Sequence, residues 1–210
     1  MNADSTEYFR VVAPEWDRMQ QSFFSEHVRE TACGVAGVKP GQIAADIGAG
    51  TGFVTEALLQ KGLRVFAVDR SASMMDEMRQ KFTDDAPVEY RLAAADRHIP
   101  LPDLAVDYAF ANMYLHHVET PAEAIREMAR IVKPGGKVVI TDLDAHEFEF
   151  LRQEHNDRWM GFRREEVQAW FTAVGLKNVR VDGVGESCCG TSCAGTETAQ
   201  IGIFIASGEK

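Results

Sequence analysis

Short apolar runs alternate with helical segments along most of this 210-residue sequence, and this alternation constrains the fold more than any other feature. Strands are predicted at 42–47, 64–68, 88–94, 108–111, 137–141, 177–181 and 201–206, and helices at 25–37, 53–61, 73–82, 120–132 and 165–174. The pattern predicts a doubly wound α/β fold in one domain, with a mainly parallel sheet covered on both faces. Ligands of such sheets bind beyond the carboxyl ends of the strands, so the loops there are the candidate site.

The predicted helix at 120–132 has the clearest local signals. Thr120 stands at its N-cap, Pro121 at its first position and Glu123 at its third, which together predict a capping box. The turn at 133–136, with the sequence KPGG, is expected to end this helix before the next strand.

The loop at 46–52, with the sequence DIGAGTG, follows the first predicted strand and opens a helix. Its alternate glycines allow a sharp turn, either for close approach of a ligand or as a tight strand–helix connection without one. Asp69 ends the next predicted strand, where a carboxylate can bind the hydroxyls of a ribose. Asp46 would repel a pyrophosphate, and the spacing G-x-G-x-G differs from the dinucleotide fingerprint G-x-G-x-x-G. The loop therefore favours a cationic nucleoside such as S-adenosylmethionine (SAM) over NAD.

Five segments resemble, in order and spacing, the motifs of class I SAM-dependent methyltransferases. These segments are 46–52, 68–71 with Met74, 94–96, 107–112 with 115–118, and 130–136. The resemblance covers most of the chain. It implies a seven-stranded sheet in the order 3-2-1-4-5-7-6 with strand 7 antiparallel, an N-terminal helical cap at 1–37, and a SAM-binding domain at 38–210.

The resemblance also implies a set of cofactor-binding residues. Asp46 and the glycine loop would hold the methionine end of SAM, Asp69 the ribose, Arg70 or Met74 the adenine face, and Asp96 the adenine amino group. The full set is Asp46, Gly48, Ala49, Gly50, Gly52, Asp69, Arg70, Met74, Ala95, Asp96 and Asn112. The expected product is S-adenosylhomocysteine (SAH), and no metal is expected.

The segment after the fourth predicted strand faces the transferring methyl group in this family. Nucleic-acid amino-methyltransferases have a Pro-Pro-aromatic motif there, whereas this chain has NMYLHH at 112–117. That segment resembles the small-molecule branch that includes ubiquinone, menaquinone and arsenite methyltransferases. The stretch at 143–170 is similar to methyltransferases fused to, or encoded beside, ArsR-type repressors. We therefore expect in-line transfer of a methyl group to a small molecule.

Four residues are candidates for the acceptor site: Tyr8 and Trp16 of the cap, His116 and His146. Cap residue Phe24 is also expected to cover the site. His116 is the candidate general base, because an imidazole titrates near neutral pH. Alternatively, one of His116 and His117 shapes the pocket and the other packs beneath it.

Two further clusters have both a functional and a structural interpretation. Cys188, Cys189 and Cys193 could bind a soft acceptor such as arsenite, or could be small apolar residues on the loop between the last two strands. A second group could hold a divalent ion, but its spacing matches no common site, so a solvated acidic helix is expected. That group is His146, Glu147, Glu149, His155 and Asp157.

The formal net charge of −10, from 32 acidic and 22 basic residues, argues against nucleic acid as a partner. The sequence shows no signal peptide and no apolar run of roughly 20 residues, so no membrane span is expected. A cytoplasmic monomer or homodimer is expected. The rival functions are a dinucleotide oxidoreductase, a SAM-binding sensor without catalysis, and a metalloid or thiol methyltransferase that uses the cysteine segment.

Overall fold

The computed structural model describes residues 5–94, 97–155, 157–192 and 195–210. Ala95, Asp96 and Cys193 lie outside the described residues. The strands are β1 Ile43–Ile47, β2 Arg64–Asp69, β3 Val88–Leu92, β4 Val106–Asn112, β5 Val132–Leu143, β6 Lys177–Thr191 and β7 Thr198–Glu209. The helices are α1 Ser5–Val12, α2 Trp16–Phe23, α3 His27–Ala36, α4 Phe53–Gln60, α5 Ala72–Lys81, α6 Pro121–Ile131, α7 Glu149–Glu154 and α8 Arg164–Ala173.

The seven strands form one sheet in the order β3-β2-β1-β4-β5-β7-β6, as predicted. Strand β1 pairs in parallel with β2 and β4, and β7 runs antiparallel to both β5 and β6. The carboxyl ends of β1, β2 and β4 therefore meet at one edge, on either side of the point where the strand order reverses.

Apolar side chains fill both faces of the sheet, because consecutive strand residues point to opposite sides. Ile47 packs on one face with Met128 of α6 and Phe171 of α8. Ala44 packs on the other face with Val28 of α3 and Leu58 of α4. Helices on both faces fix the strand ends that position the site.

The N-terminal residues form two helices, α1 and α2, joined by a short 3₁₀ turn at Ala13–Glu15. The break falls at Pro14, as expected for a residue that lacks a backbone donor. We call residues 5–24 the cap segment. The division of the chain into domains at residue 37 stays a prediction. Throughout the described ranges, every helix is too short or too polar to cross a bilayer.

The last two strands are longer than predicted, and Cys188 and Cys189 lie in β6 and not in a loop. Cys188 pairs with Ile201 and Cys189 with Gln200, both within the β6–β7 ladder. Between Gly183 and Ser187 the register shifts, so the strand resumes after an irregularity. Backbone pairing with the apolar strand β7 holds this part of β6 in place although its own sequence lacks an alternating pattern.

The capping box predicted for α6 is also absent. Thr120 is the N-cap residue and Pro121 follows it, but the Thr120 side chain makes no capping hydrogen bond. The Glu123 carboxylate instead pairs with Arg126, one turn along the exposed face. The predicted turn at 133–136 is continuous with β5, because Gly135 N donates to Lys210 O at 2.7 Å beyond the end of β7.

Candidate active site

A cavity of about 1030 Å³, including its open mouth, lies at the carboxyl ends of β1, β2 and β4. Its lining combines the glycine loop, the ends of β2 and β4, and the cap segment. Of the residues predicted from the sequence, it contains Asp46, Gly48, Ala49, Gly50, Asp69, Arg70, Met74, Asn112, Trp16 and Phe24.

The glycine loop leaves β1 in a conformation that a larger residue would resist. Gly48 has φ 69°, and a Cβ added there would collide with the ring of Tyr114. Gly50 has open space beside it, since the nearest atom to an added Cβ would be the indole nitrogen of Trp16 at 3.9 Å. The loop thus leaves room for a ligand against its backbone. Gly52 does not line the cavity and packs instead against Met78 and Phe82 of the α5 region.

Asp46 is a buried carboxylate at the end of β1. Its Oδ2 accepts a hydrogen bond from Thr55 Oγ1 at 2.7 Å. Burial raises the pKa of Asp46 to about 7, although hydrogen bonds from Thr55 act in the opposite direction. The neighbouring charge that acts on it is a second carboxylate, Asp69, which raises the pKa further. A cationic ligand would relieve this cost, so Asp46 suits the ammonium and sulfonium charges of SAM.

Asp69 connects the end of β2 to the glycine loop. Its Oδ2 accepts from Gly50 N at 2.8 Å and its Oδ1 from Ser71 N at 2.7 Å. Burial raises the pKa of Asp69, and these backbone hydrogen bonds lower it. Both oxygens are held in place and keep lone pairs that could accept from ribose hydroxyls.

The other end of the cavity is aromatic. The Phe9 and His117 rings are 5.0 Å apart and those of Phe9 and Trp16 are 5.4 Å apart, both edge to face. Tyr114 closes this end from the segment after β4. Tyr8 does not line the cavity, and its hydroxyl lies 3.1 Å from His155 Nδ1.

His116 lies beneath the cavity rather than in its wall. Its Nδ1 is 2.6 Å from Asp142 Oδ1, and the Asp142 carboxylate also accepts from the backbone amides of Leu115 and Leu143. Burial lowers the pKa of His116, but Asp142 and Asp157 outweigh it and raise it to about 9. Because its side chain does not line the cavity, this geometry does not support His116 as the general base.

His117 lines the cavity in place of its neighbour. The two histidines lie in the same 3₁₀ turn, Leu115–His117, in which consecutive side chains point in different directions. Sequence reasoning left this choice open and did not select His117. It also did not select Gln20 and His98, which line the cavity outside the sequence motifs.

His146 is likewise not in the cavity wall. Its Nδ1 accepts from Phe148 N at 3.2 Å, while Nε2 is buried with no hydrogen-bond partner among the described residues. Burial lowers the pKa of His146, and the nearby His116 lowers it further.

The acidic segment around Asp157 is not the solvated helix that was expected. Glu149 is exposed in the short helix α7, but Asp157 is only 5% exposed. Asp157 Oδ1 lies 3.7 Å from His116 Nε2 and 3.9 Å from His117 Nδ1. The acidic composition of this segment predicted exposure to solvent, whereas the Asp157 carboxylate is buried beneath the cavity.

Comparison with known proteins agrees with this architecture. Residues 45–140 match a family model described as a methyltransferase domain. A malonyl-[acyl-carrier protein] O-methyltransferase from Serratia marcescens is 29% identical over 163 residues, which cover 75% of this chain and 61% of the relative. A demethylmenaquinone methyltransferase from Tropheryma whipplei (strain Twist) is 31% identical over 143 residues, 67% of this chain and 59% of the relative. The chain spans about three fifths of the length of these curated relatives.

The fold also matches solved structures. Phosphoethanolamine N-methyltransferase 2 from Haemonchus contortus, in complex with SAM, superposes with a TM-score of 0.71 at 17% identity, over 87% of this chain and 52% of that chain. The ordered motifs, the strand order and these comparisons lead to the same family. Residues 45–140 therefore form a methyltransferase domain, and the chain is similar in motif order and strand order to the class I SAM-dependent methyltransferases.

Proposed function

We propose that this chain transfers a methyl group from SAM to a small-molecule acceptor by in-line displacement. When bound, SAM supplies an activated methyl group on its sulfonium. The observation that supports this most directly is the buried Asp46, whose neighbouring charge is a second carboxylate, beside a glycine loop with room for a ligand. A pyrophosphate would add negative charge to that position, whereas SAM would add positive charge.

The cofactor end of the cavity would act mainly through orientation. Asp46 would attract the cationic methionine end, and Asp69 would accept from the ribose hydroxyls. Arg70 and Met74, which also line the cavity, would border the adenine. Fixed groups at both ends of a long ligand limit its motion, and alignment of this kind supplies much of the rate enhancement in transfer reactions.

The acceptor end would bind a flat or apolar small molecule between aromatic side chains. Phe9, Trp16 and Tyr114 provide apolar surface that excludes water, and His117 is a polar group among them. The net charge of −10 disfavours a nucleic acid in this position. The matched relatives carry names with two different acceptors, a carrier-bound malonyl group and a demethylmenaquinone, so they support methyl transfer without selecting one acceptor.

The metalloid alternative receives less support from the described residues. Cys188 is half-buried, and burial raises the pKa of its thiol to about 12, with Asp157 adding to the effect. The thiolate is the form that binds soft metals, and this environment disfavours it. Cys189 is exposed on β6.

Titration calorimetry with SAM, SAH and NAD would test the cofactor assignment, with Asp69→Ala as the impaired variant and exposed Asp85→Asn as the control. We expect SAM and SAH to bind and NAD not to bind. Turnover is then measured as SAH release with phenols, quinols, thiols, amines, carboxylates and arsenite. NAD binding in place of SAM would contradict the proposal. Tight SAM binding without turnover on any acceptor would favour the sensor.

A further inference from the structure

At the acceptor end, His117 of the cavity wall converges with two buried side chains beneath it, His116 and Asp157. His116, His117 and Asp157 each offer one possible ligand atom, and these three atoms all lie within 4.8 Å of one another. The two measured separations from Asp157 Oδ1 are 3.7 and 3.9 Å. Ligand atoms bound tetrahedrally to one ion at about 2.0–2.2 Å are about 3.4 Å apart, so these two separations would need to shorten by a few tenths of an ångström.

The surroundings of His116 are those of a metal-binding histidine. Metal-bound histidines usually donate their second ring N–H to a carboxylate. Here Nδ1 faces Asp142 Oδ1 at 2.6 Å, and two backbone amides fix that carboxylate. An ion that displaces the Nε2 proton would leave the ring hydrogen-bonded to Asp142 through Nδ1, with the Nε2 lone pair directed towards Asp157.

A lone pair and a carboxylate that face each other in a buried site need a cation between them. The side chains of His116 and Asp157 are 6% and 5% exposed, so water screens them poorly. The backbone holds them together as well, since Arg158 N and Trp159 N both donate to His116 O, at 2.9 and 3.1 Å. Asp157 therefore cannot easily move away, and a proton or a metal ion must balance the pair.

We infer that His116, His117 and Asp157 form a binding site for one divalent transition ion such as Zn²⁺. Two imidazoles and one carboxylate suit this class of ion and not Mg²⁺ or Ca²⁺, which prefer oxygen ligands. The sequence predicted no metal, because Asp157 is separated from the histidine pair by about forty residues and lies in a segment expected to be solvated.

The location of the site connects it with the acceptor. His117 belongs both to this cluster and to the cavity wall, so an ion there would border the aromatic end. Three protein ligands leave at least one coordination position for another group. The inference that this group is an acceptor oxygen or sulfur depends on the proposed function, whereas ion binding itself does not. A second buried nitrogen, His146 Nε2, lies near His116 and has no hydrogen-bond partner among the described residues.

Metal binding can be tested without any turnover. Tag-free protein is stripped with a chelator, dialysed and titrated with Zn²⁺ by calorimetry and with Co²⁺ by visible absorption. We expect one Zn²⁺ per chain and cobalt bands typical of four- or five-coordination. His117→Ala and Asp157→Asn should each weaken Zn²⁺ binding by at least about 100-fold. The matched control is His27→Gln, at an exposed histidine of α3, which should bind as the parent does.

Circular dichroism of each variant separates loss of the site from loss of the fold, and Asp157→Asn keeps the shape of the side chain. The absence of stoichiometric Zn²⁺ binding in the parent protein would overturn the inference. A proton would then be the cation between His116 and Asp157. Zn²⁺ binding that both variants retain would overturn the inference as well. Calorimetry of SAM with the metal-free protein distinguishes the two proposals. Absence of SAM binding would refute the proposed function but would not contradict the inferred metal site.

Discussion

Replacing Asp46 with asparagine should make the ligand-free protein more stable and SAM binding weaker. The carboxylate is 2% exposed at the end of β1, where burial raises its pKa from 3.8 to about 7. The carboxyl group of Asp46 therefore binds its proton more tightly in the folded protein than in the unfolded chain. As pH rises from about 4 to about 7, ionisation costs the folded state progressively more, and above that range the cost is constant.

The size of the effect follows from the two pKa values. Each pKa unit corresponds to about 1.4 kcal/mol, so the full displacement costs the folded protein about 4 kcal/mol at pH 8 and only about 1.5 kcal/mol at pH 5. Asparagine has the same shape, carries no charge and can still accept from Thr55. Asp46→Asn should therefore raise the free energy of unfolding by about 2.5 kcal/mol more at pH 8 than at pH 5.

Urea unfolding of the parent and the variant at both pH values measures this difference. Exposed Asp85→Asn is the control and should change the free energy of unfolding equally little at each pH. Calorimetry at pH 8 should show SAM bound about 10- to 100-fold more weakly by Asp46→Asn, since a charge-assisted contact is lost. An equal change in stability at pH 5 and pH 8 would refute the reasoning, as would unchanged SAM affinity.

Three further predictions concern the cofactor end and the cap segment. Asp69→Ala should weaken both SAM and SAH by about 1–3 kcal/mol, and unchanged affinity would contradict the ribose assignment. Gly48→Ala should lower the thermal midpoint more than Gly37→Ala does, because both glycines have positive φ but only Gly48 faces a neighbouring ring; equal shifts would argue against close packing with Tyr114. Amide exchange in residues 5–24 should slow when SAH binds, whereas strong and equal protection with and without SAH would mean a permanently docked cap.

The strand order could be predicted because each central strand is a short apolar run, and the sequence motifs occur in the order of a known architecture. Strand length at the sheet edge could not be predicted. The part of β6 around Cys188 lacks an apolar alternation, and its pairing with Ile201 depends on a partner that lies elsewhere in the sequence. Local sequence does not encode that contact.

The acidic and glycine residues of the cavity were predictable for a similar reason, since they lie at the end of a strand or in the loop directly after it. The histidine cluster was not. Asp142 and Asp157 reach His116 from two other segments, and the burial of Asp157 depends on the fold around it. A difference of one residue within a 3₁₀ turn decides that His117, and not His116, faces the cavity.

The two ends of the cavity differ in what they are made of. At the cofactor end, the essential features are main-chain geometry and carboxylates at the ends of central strands. A substitution there disturbs the sheet itself. At the other end, the wall consists of ordinary side chains on a peripheral pair of helices and one short turn. Evolution can therefore exchange Phe9 or Trp16 without rebuilding the donor site. Different acceptors could in this way be served on the same fold by changes to the cap segment and the turn after β4.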